Sequence, residues 1–194
     1  MGIIQSIRNL KNIYPLIRKE KDILHSELTF ERKADELTRM ALSSIDSGVT
    51  NECYGSSEII VSLTTFGRRL WRVYLTIESI MQQSMKANRI VLWVNESYKE
   101  KLPQILYLQM QRGLEVRFCK DIRSYTKLIP SLLTFPDATI ITVDDDIIYD
   151  FDMLESSIVV RPILDETDES STFPSVMGPF WSRSASYLWI CAFC

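Results

Sequence analysis

Three adjacent carboxylates, Asp144, Asp145 and Asp146, directly follow an apolar stretch from 138 to 143. Like charges this close repel one another, and partial burial raises the cost of ionising them unless a cation is present. Mg²⁺ and Mn²⁺ take oxygen ligands, and Mg²⁺ is usually held by one or two carboxylates together with substrate phosphates. A solvated acidic turn is the alternative interpretation. If the strand geometry continues, Asp144 and Asp146 lie on one side with Asp145 opposite.

The elements around this acidic stretch alternate between strand and helix patterns. Short apolar runs typical of buried strands occupy 58–63, 89–94, 114–119 and 138–143. Helical patterns beginning at Leu70, Tyr98 and Ser124 separate them. Such alternation indicates a parallel sheet with crossover helices. The predicted fold class is therefore α/β, with a Rossmann-like, mostly parallel sheet preceded by N-terminal helices.

Polar residues follow the ends of these predicted strands. Thr64 and Thr65 come after the first strand, Asp121 after the third, and the three aspartates after the fourth. In open parallel sheets ligands bind beyond the carboxyl ends of the strands. This position favours metal binding by Asp144 and Asp146 over a solvated turn.

Composition and charge limit the classes of binding partner and the cellular location to be expected. The chain has 194 residues and a net charge of −3, without a basic run interleaved with aromatic residues, which argues against nucleic acid. Four scattered cysteines are typical of reduced thiols rather than a disulfide framework. The sequence has no membrane-spanning apolar run or signal-peptide pattern, so the expected location is cytoplasmic.

The N-terminal part predicts two helices, over 3–22 and 27–47, followed by a turn-rich linker over 47–57. Lys and Arg decorate the first helix. A basic amphipathic helix can lie on an anionic membrane, which would place residues 1–22 on its inner face, or it can pack against protein. The sequence leaves both open. We expect an N-terminal helical segment and linker over 1–56, and a separate α/β domain over 57–194.

Four segments carry a resemblance to a known family: IIVSLTTFGRRL, TIESIMQQS, RIVLWVNE and KLIPSLLTFPDATIITVDDDIIY. Together they resemble a bacterial polysaccharide-type, family-2-like glycosyltransferase of the GT-A fold, over about residues 58 to 150. The resemblance implies that 57–194 is a nucleotide-sugar-binding domain. Its donor would be a nucleotide-diphospho-sugar of the UDP or GDP type, its cofactor Mn²⁺ or Mg²⁺, and its acceptor a saccharide or a lipid-linked molecule.

The same resemblance implies roles for the acidic stretch. Asp146 would coordinate the metal on the donor diphosphate, and Asp144 would share the metal or lie by the ribose. Asp145 falls in the same cofactor-binding stretch.

Residues outside the acidic stretch also acquire roles by resemblance. Thr64 and Thr65 match the loop that lines the nucleotide. Asp121 is similar to the family's acidic position beside the base, and Lys127 to a basic residue near base and phosphates. Apart from the resemblance, Arg68 and Arg69 are either further phosphate ligands through charge-assisted hydrogen bonds or solvated side chains.

The family's usual catalytic base lies well downstream of the acidic motif. Acids occur downstream here, in a Ser/Thr-rich setting: Asp165, Glu166, Asp168 and Glu169. The segment after Asp146 is short, so we expect an incomplete acceptor half and name no base. The alternative to an enzyme is a non-catalytic or truncated nucleotide-sugar-binding module. Glu78 and Glu96 are predicted at the surface.

Overall fold

The computed structural model describes residues 2–52, 54, 57–159 and 189–192. The chain divides into two units, residues 1–37 and 38–194. The second unit contains a sheet with helices, so the predicted α/β class is confirmed, and the architecture is compatible with a Rossmann-like fold.

A single helix, α1 (Gly2–Ser43), replaces the two predicted N-terminal helices. The predicted break near residues 23–26 was wrong because nothing there interrupts helical hydrogen bonding. The Ser26 hydroxyl donates to the Ile23 carbonyl at 2.7 Å, and the Thr29 hydroxyl donates to the His25 carbonyl at 2.8 Å. These polar side chains bond back onto the helix instead of ending it.

The sheet has five strands in the order β3-β2-β1-β4-β5. Their bounds are β1 (Ile59–Thr65), β2 (Arg89–Asn95), β3 (Leu114–Cys119), β4 (Thr139–Thr142) and β5 (Trp189–Ala192). The first four strands are parallel, and β5 pairs antiparallel with β4. The first four lie close to the predicted strands, because parallel strands covered on both faces are continuous apolar runs.

The remaining helices are short. They are α2 (Val73–Met81), α3 (Gln104–Met110), α4 (Ile129–Thr134) and α5 (Met153–Val159). Helical 3₁₀ turns precede three of them, at Gly67–Trp71, Glu96–Tyr98 and Arg123–Lys127. Pro103 caps α3, and Gly113, with φ of 111°, follows its end. That backbone conformation suits glycine, which has no Cβ.

The helices cover both faces of the sheet. Val61 and Leu63 of β1 belong to one core cluster with residues of α2 and α3. Ile60 of β1 belongs to a second cluster, against which Leu132 of α4 packs. Because crossovers between parallel strands are nearly always right-handed, connections that run in opposite directions across the sheet place their helices on opposite faces.

Glu78 corrects a prediction. It was expected at the surface but is wholly buried in α2, where Arg112 binds both carboxylate oxygens at 2.8 and 2.9 Å. Gln82 and Gln109 donate to the same carboxylate at 2.8 and 3.0 Å. The Arg112 Nε–H donates to the Asp46 carbonyl at 2.9 Å. A buried carboxylate with this many donors is a structural group.

Candidate functional site

The strand order creates one point where neighbouring connections diverge. From β1 the chain moves to β2 and β3 on one side, and then returns to β4 on the other side of β1. The connection from β1 to β2 therefore carries α2 on one face of the sheet, and the connection from β3 to β4 carries α4 on the other. Ligands of open α/β sheets bind in the crevice at such a switch point. The acidic stretch lies here because it follows β4.

Asp145 joins these two loops. Its carboxylate accepts a hydrogen bond from the Thr65 hydroxyl at 2.6 Å and another from Arg69 Nη1 at 3.0 Å. The Thr76 hydroxyl on α2 donates to the Asp145 carbonyl at 3.1 Å. Asp145 is buried, so its charge is stabilised inside the protein by these donors. The structure thus brings two predicted site residues, Thr65 and Asp145, into direct contact.

Asp144 is paired with Lys127. The Lys127 ammonium donates to Asp144 Oδ1 at 2.6 Å and to the Val143 carbonyl at 3.3 Å. Lys127 lies in the 3₁₀ turn that follows β3. The structure therefore brings this predicted site residue into contact with the acidic stretch. The backbone N–H of Asp144 donates to the Tyr149 hydroxyl at 2.9 Å. Burial is the main cause that raises the pKa of Tyr149, so this phenol stays protonated.

Arg69 contacts both the buried Asp145 and the exposed Asp146 of the acidic stretch. Besides Asp145, its guanidinium contacts Asp146 Oδ2 at 3.5 Å and lies over the Phe66 ring at 5.7 Å. The hydrogen bond to Asp145, followed by the charges of Asp145 and Asp146, raises the pKa of Arg69. The Arg69 side chain is about half exposed, at 52%. Arg69 can therefore reach solvent, or a ligand, while it remains paired.

The loop after β4 is attached to α2 by side chains that sequence reasoning missed. The Tyr149 N–H donates to Ser79 Oγ at 3.0 Å. Gln83 donates to the Asp150 carbonyl at 2.6 Å and accepts from the Leu154 N–H at 3.0 Å. With Thr76, these residues repeat at steps of three and four. Polar residues at that spacing, within and just after a mostly apolar helix, were the available signal.

Two predicted site residues have other partners. The Thr64 hydroxyl donates to the Trp93 carbonyl at 2.9 Å, and alternation along β1 directs it away from the Thr65 side. Asp121 is exposed and accepts from the Arg123 N–H at 2.7 Å. Arg123 has φ of 61°, an unfavourable backbone conformation for a residue with a Cβ, and the Asp121 contact supports it. Nucleotide contacts by Thr64 and Asp121 stay predictions.

The expected strand geometry of the acidic stretch was wrong. β4 ends at Thr142, and Asp145 and Asp146 lie in a turn. The Val143 N–H still donates to the Ser62 carbonyl at 3.0 Å, after which Asp144 bonds to Tyr149 and the chain leaves the sheet. The relative positions of these carboxylates are therefore set by their partners rather than by strand alternation.

The donor atoms suit a hard divalent ion. The side chains of Asp144 and Asp146 are 33% and 54% exposed, which leaves carboxylate oxygens accessible. In the described part of the chain, no group of three or more Asp, Glu, His or Cys side chains is arranged to hold a metal. Mg²⁺ fits two carboxylates without such a cage, because it keeps waters and binds substrate phosphates. Metal binding by Asp144 and Asp146 stays a prediction.

Comparison with known proteins adds no family. No family model matches the chain, and no curated protein matches it. Across the residues that the structure describes, none of the helices combines the length and apolar character needed to cross a bilayer.

Proposed function

We propose that this chain binds a nucleotide-diphospho-sugar at the carboxyl edge of its sheet and transfers the sugar to a saccharide or lipid-linked acceptor. This is the activity of the GT-A glycosyltransferases that its sequence resembles. The junction of the β1 and β4 loops through Thr65, Asp145 and Arg69 carries the proposal. These hydrogen bonds attach a partly exposed acidic edge to β1 at the switch point, where α/β sheets bind ligands.

The charge of this edge explains why a cation belongs to the proposal. A donor diphosphate is an anion, and each like-charge contact at about 4 Å costs about 4 kcal/mol at an effective dielectric of about 20. Lys127 and Arg69 offset part of the negative charge of the three aspartates. Asp144 and Asp146 would hold the divalent ion, which would supply Lewis-acid stabilisation of the leaving diphosphate.

The two cationic side chains have a further role in the proposal. Lys127 and Arg69 would donate charge-assisted hydrogen bonds to the donor phosphates, since both border the acidic stretch. Their internal partners orient them before the donor arrives, which reduces the entropy cost of binding. The loop contacts to Ser79 and Gln83 would keep the acidic stretch in place when Lys127 and Arg69 bind the donor phosphates.

One observation favours the alternative, a nucleotide-sugar-binding module without turnover. Each carboxylate of the acidic stretch has a cationic partner in the structure. Each of these contacts engages a carboxylate oxygen that a catalytic base would need for its proton. None of the three is therefore assigned as a catalytic base. The downstream acids Asp165, Glu166, Asp168 and Glu169 lie outside the described residues.

Thermal unfolding of the full chain with UDP- and GDP-sugars, each with and without Mn²⁺, tests donor binding. A donor present at 100 times its dissociation constant adds about 2.7 kcal/mol to the free energy of unfolding. We expect stabilisation by at least one donor only when Mn²⁺ is present. If no donor stabilises the chain with metal, the proposal is wrong.

Release of UDP or GDP from the stabilising donor then separates enzyme from module. Mn²⁺-dependent release, with or without an added saccharide acceptor, supports the glycosyltransferase. Binding without release supports the module. Asp137→Asn is the matched control for substitution of Asp144 and Asp146 by asparagine. Asp137 is exposed and precedes β4, at the opposite end of the strand from the acidic stretch.

A further inference from the structure

The first unit of the chain carries a seven-residue repeat. Counting back from Leu28, residues recur at alternating steps of four and three, which is the a/d spacing of a coiled coil. The repeat runs through Ile3, Ile7, Leu10, Tyr14, Ile17, Lys21, Leu24 and Leu28. Lys21, at an a position, is its one charged member. The pattern fits the uninterrupted helix α1.

The described part of this repeat is open to solvent. Leu24 and Leu28 are 55% and 57% exposed, and every residue from 18 to 32 is exposed. Helices in water draw most of their stability from packing an amphipathic face rather than from intrinsic propensity. An exposed helix with a continuous a/d row therefore lacks the packing that would stabilise it.

The charges beside this row select the partner. Arg18, His25 and Arg32 occupy e positions, and Glu20 and Glu27 occupy g positions. In a parallel pair, g of one helix faces e of the next heptad on the other helix. Glu20 then faces His25 of a second copy, and Glu27 faces Arg32. An antiparallel pair would place glutamates opposite glutamates and basic residues opposite basic residues.

We propose that α1 forms a parallel, in-register two-stranded coiled coil with a second copy of this chain. Lys21 supports two strands in register, since one charged a residue specifies register and oligomeric state at a cost in stability. Pro15 lies at a b position, outside the seam. It also lacks an N–H and weakens the helix locally, so the stretch from Ile17 to Arg32 supplies the critical contacts.

An anionic membrane is the competing partner for the same face. Membrane-surface helices carry an excess of Lys and Arg. The exposed stretch from 18 to 32 has a balanced set: Arg18, Lys19, Lys21 and Arg32 against Glu20, Asp22, Glu27 and Glu31. Balanced charge with matched e and g residues favours a second copy.

Sedimentation of the full chain tests the coiled coil. We expect twice the 22.5 kDa chain mass, and the single-chain mass for the double variant Leu24→Glu/Leu28→Glu. Ser26→Glu, at an exposed f position on the outer side of the helix, is the control that should stay dimeric. A native chain of single mass, or a dimer that survives the double variant, overturns the proposal.

Charge exchange tests the orientation. Glu27→Arg should raise the dimer dissociation constant about tenfold, and adding Arg32→Glu should restore it. Failure of the second change to restore the dimer overturns the parallel arrangement. Sedimentation with phosphatidylglycerol vesicles tests the competing partner. A chain of single mass that binds vesicles through Leu24 and Leu28 assigns the face to lipid and overturns the proposal.

Discussion

Glu78 lies wholly inside the protein, whereas Asp146, at the carboxyl edge of the sheet, is about half exposed. Four donors from three residues bind the Glu78 carboxylate at 2.8 to 3.0 Å. Asp146 has a guanidinium contact at 3.5 Å. The interior carboxylate has its lone pairs occupied by protein donors, while the edge carboxylate keeps lone pairs available to water or a ligand.

This difference separates two uses of charge in one domain. A buried ion pair needs complete hydrogen bonding, because an unpaired charge in the interior costs several kcal/mol. A ligand-binding carboxylate must keep part of its bonding capacity. Asp145 meets the first condition, since both of its carboxylate oxygens are occupied internally, while its neighbours Asp144 and Asp146 meet the second.

The interior pair should give the largest effect on stability. Glu78→Gln keeps the shape of the side chain but leaves Arg112 buried without its counter-charge. We expect a loss of about 3–5 kcal/mol in the free energy of unfolding, measured by urea titration. Glu58→Gln, which alters the exposed contact with Arg89 at 3.2 Å, should cost about 1 kcal/mol or less. Equal losses would remove the distinction between buried and exposed carboxylates.

The junction residue should give an intermediate effect. Asp145→Asn removes the charge that Arg69 binds and weakens the bond to Thr65. Hydrogen bonds to charged groups contribute about 1.5–3 kcal/mol, so we expect a loss of about 2 kcal/mol in urea unfolding. Donor binding should weaken as well, since the two loops lose their connection. An unchanged unfolding free energy would contradict the junction.

We expect the smallest effect on stability from the partly exposed cluster of Glu115, Arg89 and Arg117 on β2 and β3. Burial alone would raise the pKa of Glu115, but hydrogen bonds from Arg117 and Arg89 outweigh it and lower the pKa. The resulting stability is present above the ordinary value of 4.5 and is lost as pH falls through the lower folded pKa. Glu115→Gln should therefore reduce the pH dependence of unfolding below pH 4.5. The same pH dependence of the unfolding free energy in the native chain and the variant, below pH 4.5, would contradict this.

Local pattern predicted the sheet well because parallel strands are apolar along their whole length. β3 has its predicted bounds, Leu114–Cys119. The same reasoning failed for Glu78, because its partner Arg112 lies 34 residues away and pairing across helices leaves no local pattern. It also failed for the N-terminal helices, where residues 23–26 contain neither glycine nor proline and the hydroxyl of Ser26 bonds within the helix.

The acidic edge could be located from sequence, but its partners could not. The position of Asp144 after an apolar strand predicted the correct edge of the sheet. Lys127 was selected by resemblance, and its contact with Asp144 depends on a crossover that carries the chain back from β3 to β4. Arg69 was left between two interpretations because its distance from the acidic stretch depends on the pairing of β1 with β4.

The central claim is that Asp144 and Asp146 bind a nucleotide-sugar diphosphate through a divalent ion. Calorimetric titration of the stabilising donor with Mn²⁺ should be compared for the native chain, Asp144→Asn/Asp146→Asn and Asp137→Asn. We predict unchanged affinity for Asp137→Asn and a loss of roughly 100-fold or more for the double variant, as removal of metal ligands should exceed the 10- to 100-fold effect of outer-shell groups. Equal affinity in all three proteins would contradict the claim.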